Sequence, residues 1–241
     1  MSGLLLSKLF NQLGAGGFLD GVWVTVYMTV LSTVFAYILG LPLGILLTAT
    51  DKNGIKPIVW LNRIVGVIVN IFRSIPFIIL MVALIPVSRA IVGTSIGNKA
   101  MIFMLVIAAA PYVARMVESS LNEVDQGVVE AARSMGAGTF AIIWKVYLPE
   151  AKPSLIVGAV ISTVTILGYS AMAGTIAGGG LGSIAVTQAR PSNAQDVIWL
   201  CVALMVVIVQ VIQEAGMYIS RKTDKRMRQN SKKQKIRFKE K

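Results

Sequence analysis

Long runs of apolar residues recur along the chain, separated by short polar stretches. Val22 to Thr50 contains no charged residue, and Ser154 to Ala173 contains none either. Within these runs the apolar residues do not alternate with a polar face, so each run reads as a helix that is apolar all round. A helix that crosses a bilayer needs about 20 such residues. Five spans are expected on this basis: residues 22–50, 64–87, 100–117, 154–173 and 197–219. The second is the least well bounded, because apolar sequence continues from Ile58 to Ala90. As a single helix that stretch would be roughly 50 Å long against a hydrocarbon core of about 30 Å. Its first turns are therefore expected in the interface or in the cytosol. The fold class is all-α: a polytopic membrane protein of five transmembrane helices.

Between the third and fourth spans, residues 119–153 break the apolar pattern. Glu130 to Pro153 reads EAARSMGAGTFAIIWKVYLPEAKP. Asp125 can cap a short helix that Gly136 ends. About ten residues make a helix too short to hold in water by itself, so something must brace it. Gly138 and Thr139 can begin a second helix, with Phe140, Ile143 and Tyr147 at helical spacing on one face. Pro149 would end it, and Pro153 suits the first turn of the next span. The small Ala131 and Ala132 would allow close approach to another surface, with Glu130 and Arg133 setting its register. Such a rod, joined rigidly to a span, is suited to helix-in-groove docking of a cytosolic partner; the alternative is an ordinary structured loop.

Composition supports a membrane class, with 55 % hydrophobic residues and a mean hydropathy of +0.73. The net charge of +12 changes the picture only once it is located. Residues 221–241 hold eleven of the 23 Lys and Arg and two acids. A basic run directly after an apolar helix marks a cytoplasmic end and a contact with anionic lipid, not nucleic acid. Lys52, Lys56, Arg63, Arg133, Lys145, Lys152 and this tail fall on one side, against Lys8, Arg89, Lys99 and Arg190 on the other. The positive-inside rule then puts the N-terminus outside and the C-terminus in the cytoplasm. Residues 1–21 are expected as an extracytoplasmic interfacial segment, since their apolar part is short and no secretory cleavage pattern follows.

The chain has no histidine, which removes imidazole metal sites and histidine acid–base chemistry. Cys201 lies within an apolar run and reads as a small buried hydrophobe. GTSIGNKA (Gly93–Ala100) lacks the spacing of a phosphate loop, and the glycines of 177–182 follow no strand. No catalytic residue, cofactor site or metal site is assigned. Gly40 with Gly44, and Gly158 with Ser162, are pairs that let helices approach closely. Arg73 is an ionisable residue in or beside the second span. It is read either as reaching the cytosolic interface or as a structural or pathway residue paired with Glu118.

Glu130-Ala131-Ala132, then Gly136, then Val146-x-Leu148-Pro149 resembles the EAA loop of ABC importer permeases, with Val146 where that family usually has Ile. The likeness extends over residues 21–220. FRSIPF (Phe72–Phe77), VGTSIG (Val92–Gly97), APYVARMVESSL (Ala110–Leu121), GYSAMAG (Gly168–Gly174) and AGGGLG (Ala177–Gly182) look most like the methionine-import permeases; the last two are the more specific. The basic tail departs from that pattern. The resemblance implies a type I ABC importer permease fold for residues 22–220. It also implies that Glu130, Ala131, Ala132, Arg133, Gly136, Leu148 and Pro149 couple to a separate ATPase, which would bind ATP and Mg.

In related importers the fourth span lines the route, which would place Tyr169, Ser170 and Met172 at a pathway or gate. A homodimer is expected, because one five-helix subunit encloses little volume. Two ATPase copies would dock below, and a methionine-binding protein would dock outside, where Gly174–Ala194 is expected as a Gly-rich loop. Three rivals stay open: another amino acid as cargo, an ion-coupled transporter, and a membrane enzyme. The second would want intramembrane carboxylates or an inverted repeat. The third would need a catalytic cluster.

Overall fold

A computed structural model of the chain describes residues 17–174 and 178–223. All regular structure among them is helical. In chain order the elements are α1 (Gly17–Thr50), α2 (Val59–Ser74), α3 (Phe77–Val92), α4 (Asn98–Asn122), α5 (Gln126–Ser134), α6 (Thr139–Ala173), α7 (Leu181–Ser183) and α8 (Gln195–Thr223). Two π segments interrupt the α register, Ile143–Tyr147 inside α6 and Ile184–Ala189 after α7. Helices α1, α4, α6 and α8 are each long and apolar enough to cross a bilayer, and α2 with α3 qualify together as a bent pair. That gives four single spans, and five, the expected number, with the bent pair counted as one. The expected interfacial segment and basic tail lie mostly outside the described residues; the ends that are described, 17–21 and 221–223, continue α1 and α8 as helix.

The second span departs from expectation. It is two helices meeting at 107°, not one rod over 64–87. Pro76 is the cause: the residue before a proline is driven out of the helical region, and Ile75 is extended at φ −80°, ψ 125°. The fourth span begins earlier than expected. Pro149 does not terminate a helix; it lies just after the Ile143–Tyr147 π segment, within a helical stretch that runs on from Thr139. Nor is Gly174–Ala194 all loop: Leu181–Ala189 is helical, and its turn docks on α1, the Leu181 N–H donating to Thr25 Oγ1 at 2.9 Å.

Helix α4 is the centre of the bundle. Two thirds of its apolar window (67 %) is buried, against 11 % for α8 at the rim. It packs along α1 for most of its length and also against α6, α3 and α2. Close approach of α1 depends on missing side chains. A Cβ on Gly44 would lie 2.6 Å from the Ala114 carbonyl oxygen, and one on Gly40 2.9 Å from that of Ala110. Gly158 is different, its nearest neighbour being Ser120 Oγ at 3.6 Å. Cys201 is buried with its thiol free, as the sequence suggested. The outward faces remain apolar, with Trp23, Ile38, Ile64, Ile79, Trp199 and Val211 exposed. In a membrane protein such faces meet lipid or another subunit.

Candidate functional site: a coupling element and an intramembrane cavity

The polar insert forms a compact element at one end of the bundle. Asp125 caps α5, its Oδ1 accepting from the Gly127 N–H at 2.8 Å. Gly136 then reverses the chain at φ +81°, a conformation that costs a side-chain-bearing residue about 1–2 kcal/mol. Its N–H closes the helix end on the Arg133 carbonyl at 2.9 Å. Both expected boundaries of this short helix are observed. What braces it is the bundle itself. Val129 and Ala132 from α5, and Ile142, Tyr147 and Ala151 from α6, share one buried cluster with Val113, Val117 and Leu121 of α4. Arg133 ties the other side, donating from Nη2 to the Ile55 carbonyl at 2.7 Å in the loop between α1 and α2. The rod is therefore an extension of the membrane core and not a flap hung from it.

Residues of the motif take two roles. Glu130, Ala131, Arg133, Gly136 and Pro149 are exposed, whereas Ala132 is buried and Leu148 packs on the cluster. Ala132 thus approaches its own subunit, not an outside surface. The face expected from Phe140, Ile143 and Tyr147 is also corrected. In a π turn each N–H reaches back five residues, so positions five apart stack. Ile142 and Tyr147 are accordingly the buried pair. Phe140, at 74 % exposure, and Trp144, at 55 %, point outward with ring centroids 5.9 Å apart. With Met135, 81 % exposed, they give the polar end an apolar ridge that the sequence reading missed. The available signal was the four-residue spacing of two aromatics. Ile142→Ala is expected to destabilise the protein by about 2–5 kcal/mol. Phe140→Ala should change stability by less than about 0.5 kcal/mol. Unfolding in detergent separates the two, and an α register would reverse their order.

The other expected residues lie deeper. Tyr169 stacks face to face on Phe77, centroids 4.5 Å apart and planes at 3°. Ser170 is buried within the subunit and donates to the Leu167 carbonyl at 2.8 Å. Met172 is half-exposed. Arg73 does not pair with Glu118, which accepts from Arg115 Nη1 at 2.7 Å while Arg115 Nη2 also holds the Gly66 carbonyl. Arg73 lies in the last turn of α2, fourteen residues or about 21 Å of helix from Val59. Arg73 and Tyr169 line one cavity instead, of about 100 Å³, together with Phe72, Ile75, Phe77 and Tyr112.

Residues 40–229 match the family described as the binding-protein-dependent transport system inner membrane component. The chain belongs to this family. Among relatives of the permease, a Vibrio cholerae protein named probable D-methionine transport system permease protein MetI is 46 % identical over 208 residues, 86 % of this chain and 92 % of that one. The Escherichia coli D-methionine transport system permease protein MetI is 53 % identical over 154 residues, 64 % of this chain and 71 % of that one. A solved structure of the MetNI methionine ABC transporter in an inward-facing conformation superposes with a TM-score of 0.85 at 46 % identity, covering 86 % of the permease and 96 % of its own chain. The all-helical type I ABC permease fold follows, and the permease is a multi-pass membrane protein without a catalytic role of its own.

Proposed function

We propose that this permease is the membrane-spanning subunit of an ATP-driven importer that carries methionine across the cytoplasmic membrane. The likeness to transporters named for that cargo supports the substrate. The observation that carries the mechanism is the shared buried cluster between α5 and helices α4 and α6. A push on α5 has no soft joint in which to dissipate, and close-packed interiors transmit strain.

The exposed Glu130, Ala131, Met135, Phe140 and Trp144 form the face offered to an ATPase that binds ATP and Mg. Two permeases would pair about a two-fold axis, each receiving one ATPase copy. The C-terminus would lie in the cytoplasm and the N-terminus outside, with the basic tail against anionic lipid. A methionine-binding protein would deliver cargo on the outer side, over the Gly180–Ala194 turn. Closure of the ATPases on ATP moves both rods and opens the bundle outward; hydrolysis returns it inward. Alternation between two packed states is what couples the sites.

The test of cargo is uptake of labelled methionine, L and D separately, into vesicles holding the whole complex, with unlabelled amino acids as competitors. Methionine is expected to compete best. Equal competition by leucine or histidine would overturn the assignment of cargo and leave the permease role standing.

A further inference from the structure

Two awkward features of this chain occupy the same place. The break between α2 and α3 leaves Ile75 and Pro76 in extended backbone, outside either helix, inside an apolar run. Non-helical backbone at membrane depth survives only where it is buried in protein or lines a water-filled cavity. Arg73, in the last turn of α2 before it, presents a guanidinium group. Its neighbours across the cavity are Tyr112 and Ala108 of α4, ten and fourteen residues from Asn122, or about 15 and 21 Å of helix. Both lie in the middle part of α4, a helix long and apolar enough to cross a bilayer.

A guanidinium at such a depth needs an anion or a polar cavity. Among the described residues none supplies the anion: the ion pair present, Arg115 with Glu118, leaves Arg73 aside. The rest of the wall is apolar or aromatic, with Phe72, Ile75 and Leu80 beside the stacked Phe77–Tyr169 pair. One cation next to an apolar, aromatic wall matches a ligand with a carboxylate at one end and an apolar chain attached. We propose that Arg73 receives the α-carboxylate of the amino acid in transit, at a station within the membrane, with the Phe77–Tyr169 rings against its side chain.

This inference rests on the amino-acid import reading above. Arginine suits the role because its planar fork meets a carboxylate with two parallel hydrogen bonds. Thioether sulfur packs favourably at ring edges, and a tyrosine face also attracts an ammonium group. The cavity is well below the several hundred Å³ of a typical high-affinity ligand pocket. It holds the head of the cargo and releases it, as a transit station must.

The test uses the permease assembled with its ATPase in lipid nanodiscs and a diazirine-bearing methionine as photoprobe. Peptide mapping is expected to find the label on Phe72–Leu80 or on the Tyr169 peptide. Unlabelled methionine should displace it at least tenfold better than methionine amide, which lacks the carboxylate. Arg73→Gln should lose at least tenfold of the label, and Arg73→Lys, which keeps the charge without the fork, should lose less. Label elsewhere, undiminished label in Arg73→Gln, or displacement by the amide equal to that by the acid would each overturn the proposal. Should Arg73→Gln fail to assemble, the acid-against-amide comparison in the unaltered protein decides alone. Unaltered protein that takes up methionine yet is displaced equally by the amide loses the station and keeps its function. Protein that does not take up methionine loses both.

Discussion

A permease carrying Glu130→Lys together with Gly136→Pro is expected to reach the membrane and to transport nothing. Gly136 sits at φ +81°, and a proline ring holds φ near −65°. The substitution also removes the N–H that closes α5 on the Arg133 carbonyl at 2.9 Å. The turn must therefore rebuild, at a cost of about 3 kcal/mol or more, and Val129 and Ala132 can no longer keep their places in the shared cluster. Glu130 is exposed, so its reversal to lysine alters the offered face without touching the core. The spans themselves are left as they were, which is why membrane insertion should survive. Co-purification of the ATPase is the readout, alongside uptake. A double variant that holds its ATPase as the unaltered protein does would contradict the docking role of α5.

The second large effect lies in the membrane. Gly44→Leu is expected to leave little folded protein in the membrane fraction. Its Cβ alone would fall 2.6 Å from the Ala114 carbonyl oxygen and 2.6 Å from Val117 Cβ. A backbone oxygen cannot turn aside, so α1 and α4 must separate along the most extensive helix contact in the bundle. Lipid gives no hydrophobic drive to hold them at the longer distance. Gly158→Ala belongs in the same experiment, because the nearest atom to its new methyl group is 3.6 Å away. That change should leave membrane level and the size-exclusion profile within error of the unaltered protein. Normal levels of Gly44→Leu would show that the α1–α4 approach is not what builds the bundle.

These two glycines mark how far the sequence could be read. Both pairs of small residues, Gly40 with Gly44 and Gly158 with Ser162, carry the same signature. Spacing says that a helix could approach closely there; only the neighbour's position says whether it does. Prolines teach the same lesson. Pro42, Pro86, Pro111 and Pro153 all sit within helices that continue past them. Pro76 alone among the described prolines within apolar runs splits a span, because Ile75 and Pro76 both take extended backbone. In a membrane bundle, neighbouring helices can satisfy the group that a proline frees, so the residue by itself does not decide.

Length and polarity were the reliable signals. They placed four spanning helices, the apolar segment that proves to be a bent pair, the capped rod from Asp125 to Gly136 and the buried Cys201. The π turn at Ile143–Tyr147 was not legible, because no composition distinguishes it from an ordinary helix. It moved the buried face from Ile143 to Ile142 and turned Phe140 outward. Arg73 was legible as an anomaly but not as a location. Its surroundings could be named only once Glu118 was seen paired with Arg115 and Arg73 in the wall of a cavity shared with Tyr169.

The central claim is that this subunit moves solute only when another protein's ATP cycle drives its cytosolic rod. Proteoliposomes containing the purified permease, with and without its ATPase, and supplied with binding protein, labelled methionine and ATP, test that claim directly. Uptake is expected with the ATPase and ATP together, and none with the permease alone or without ATP. Accumulation by the permease in the absence of any ATP-hydrolysing partner would contradict the account.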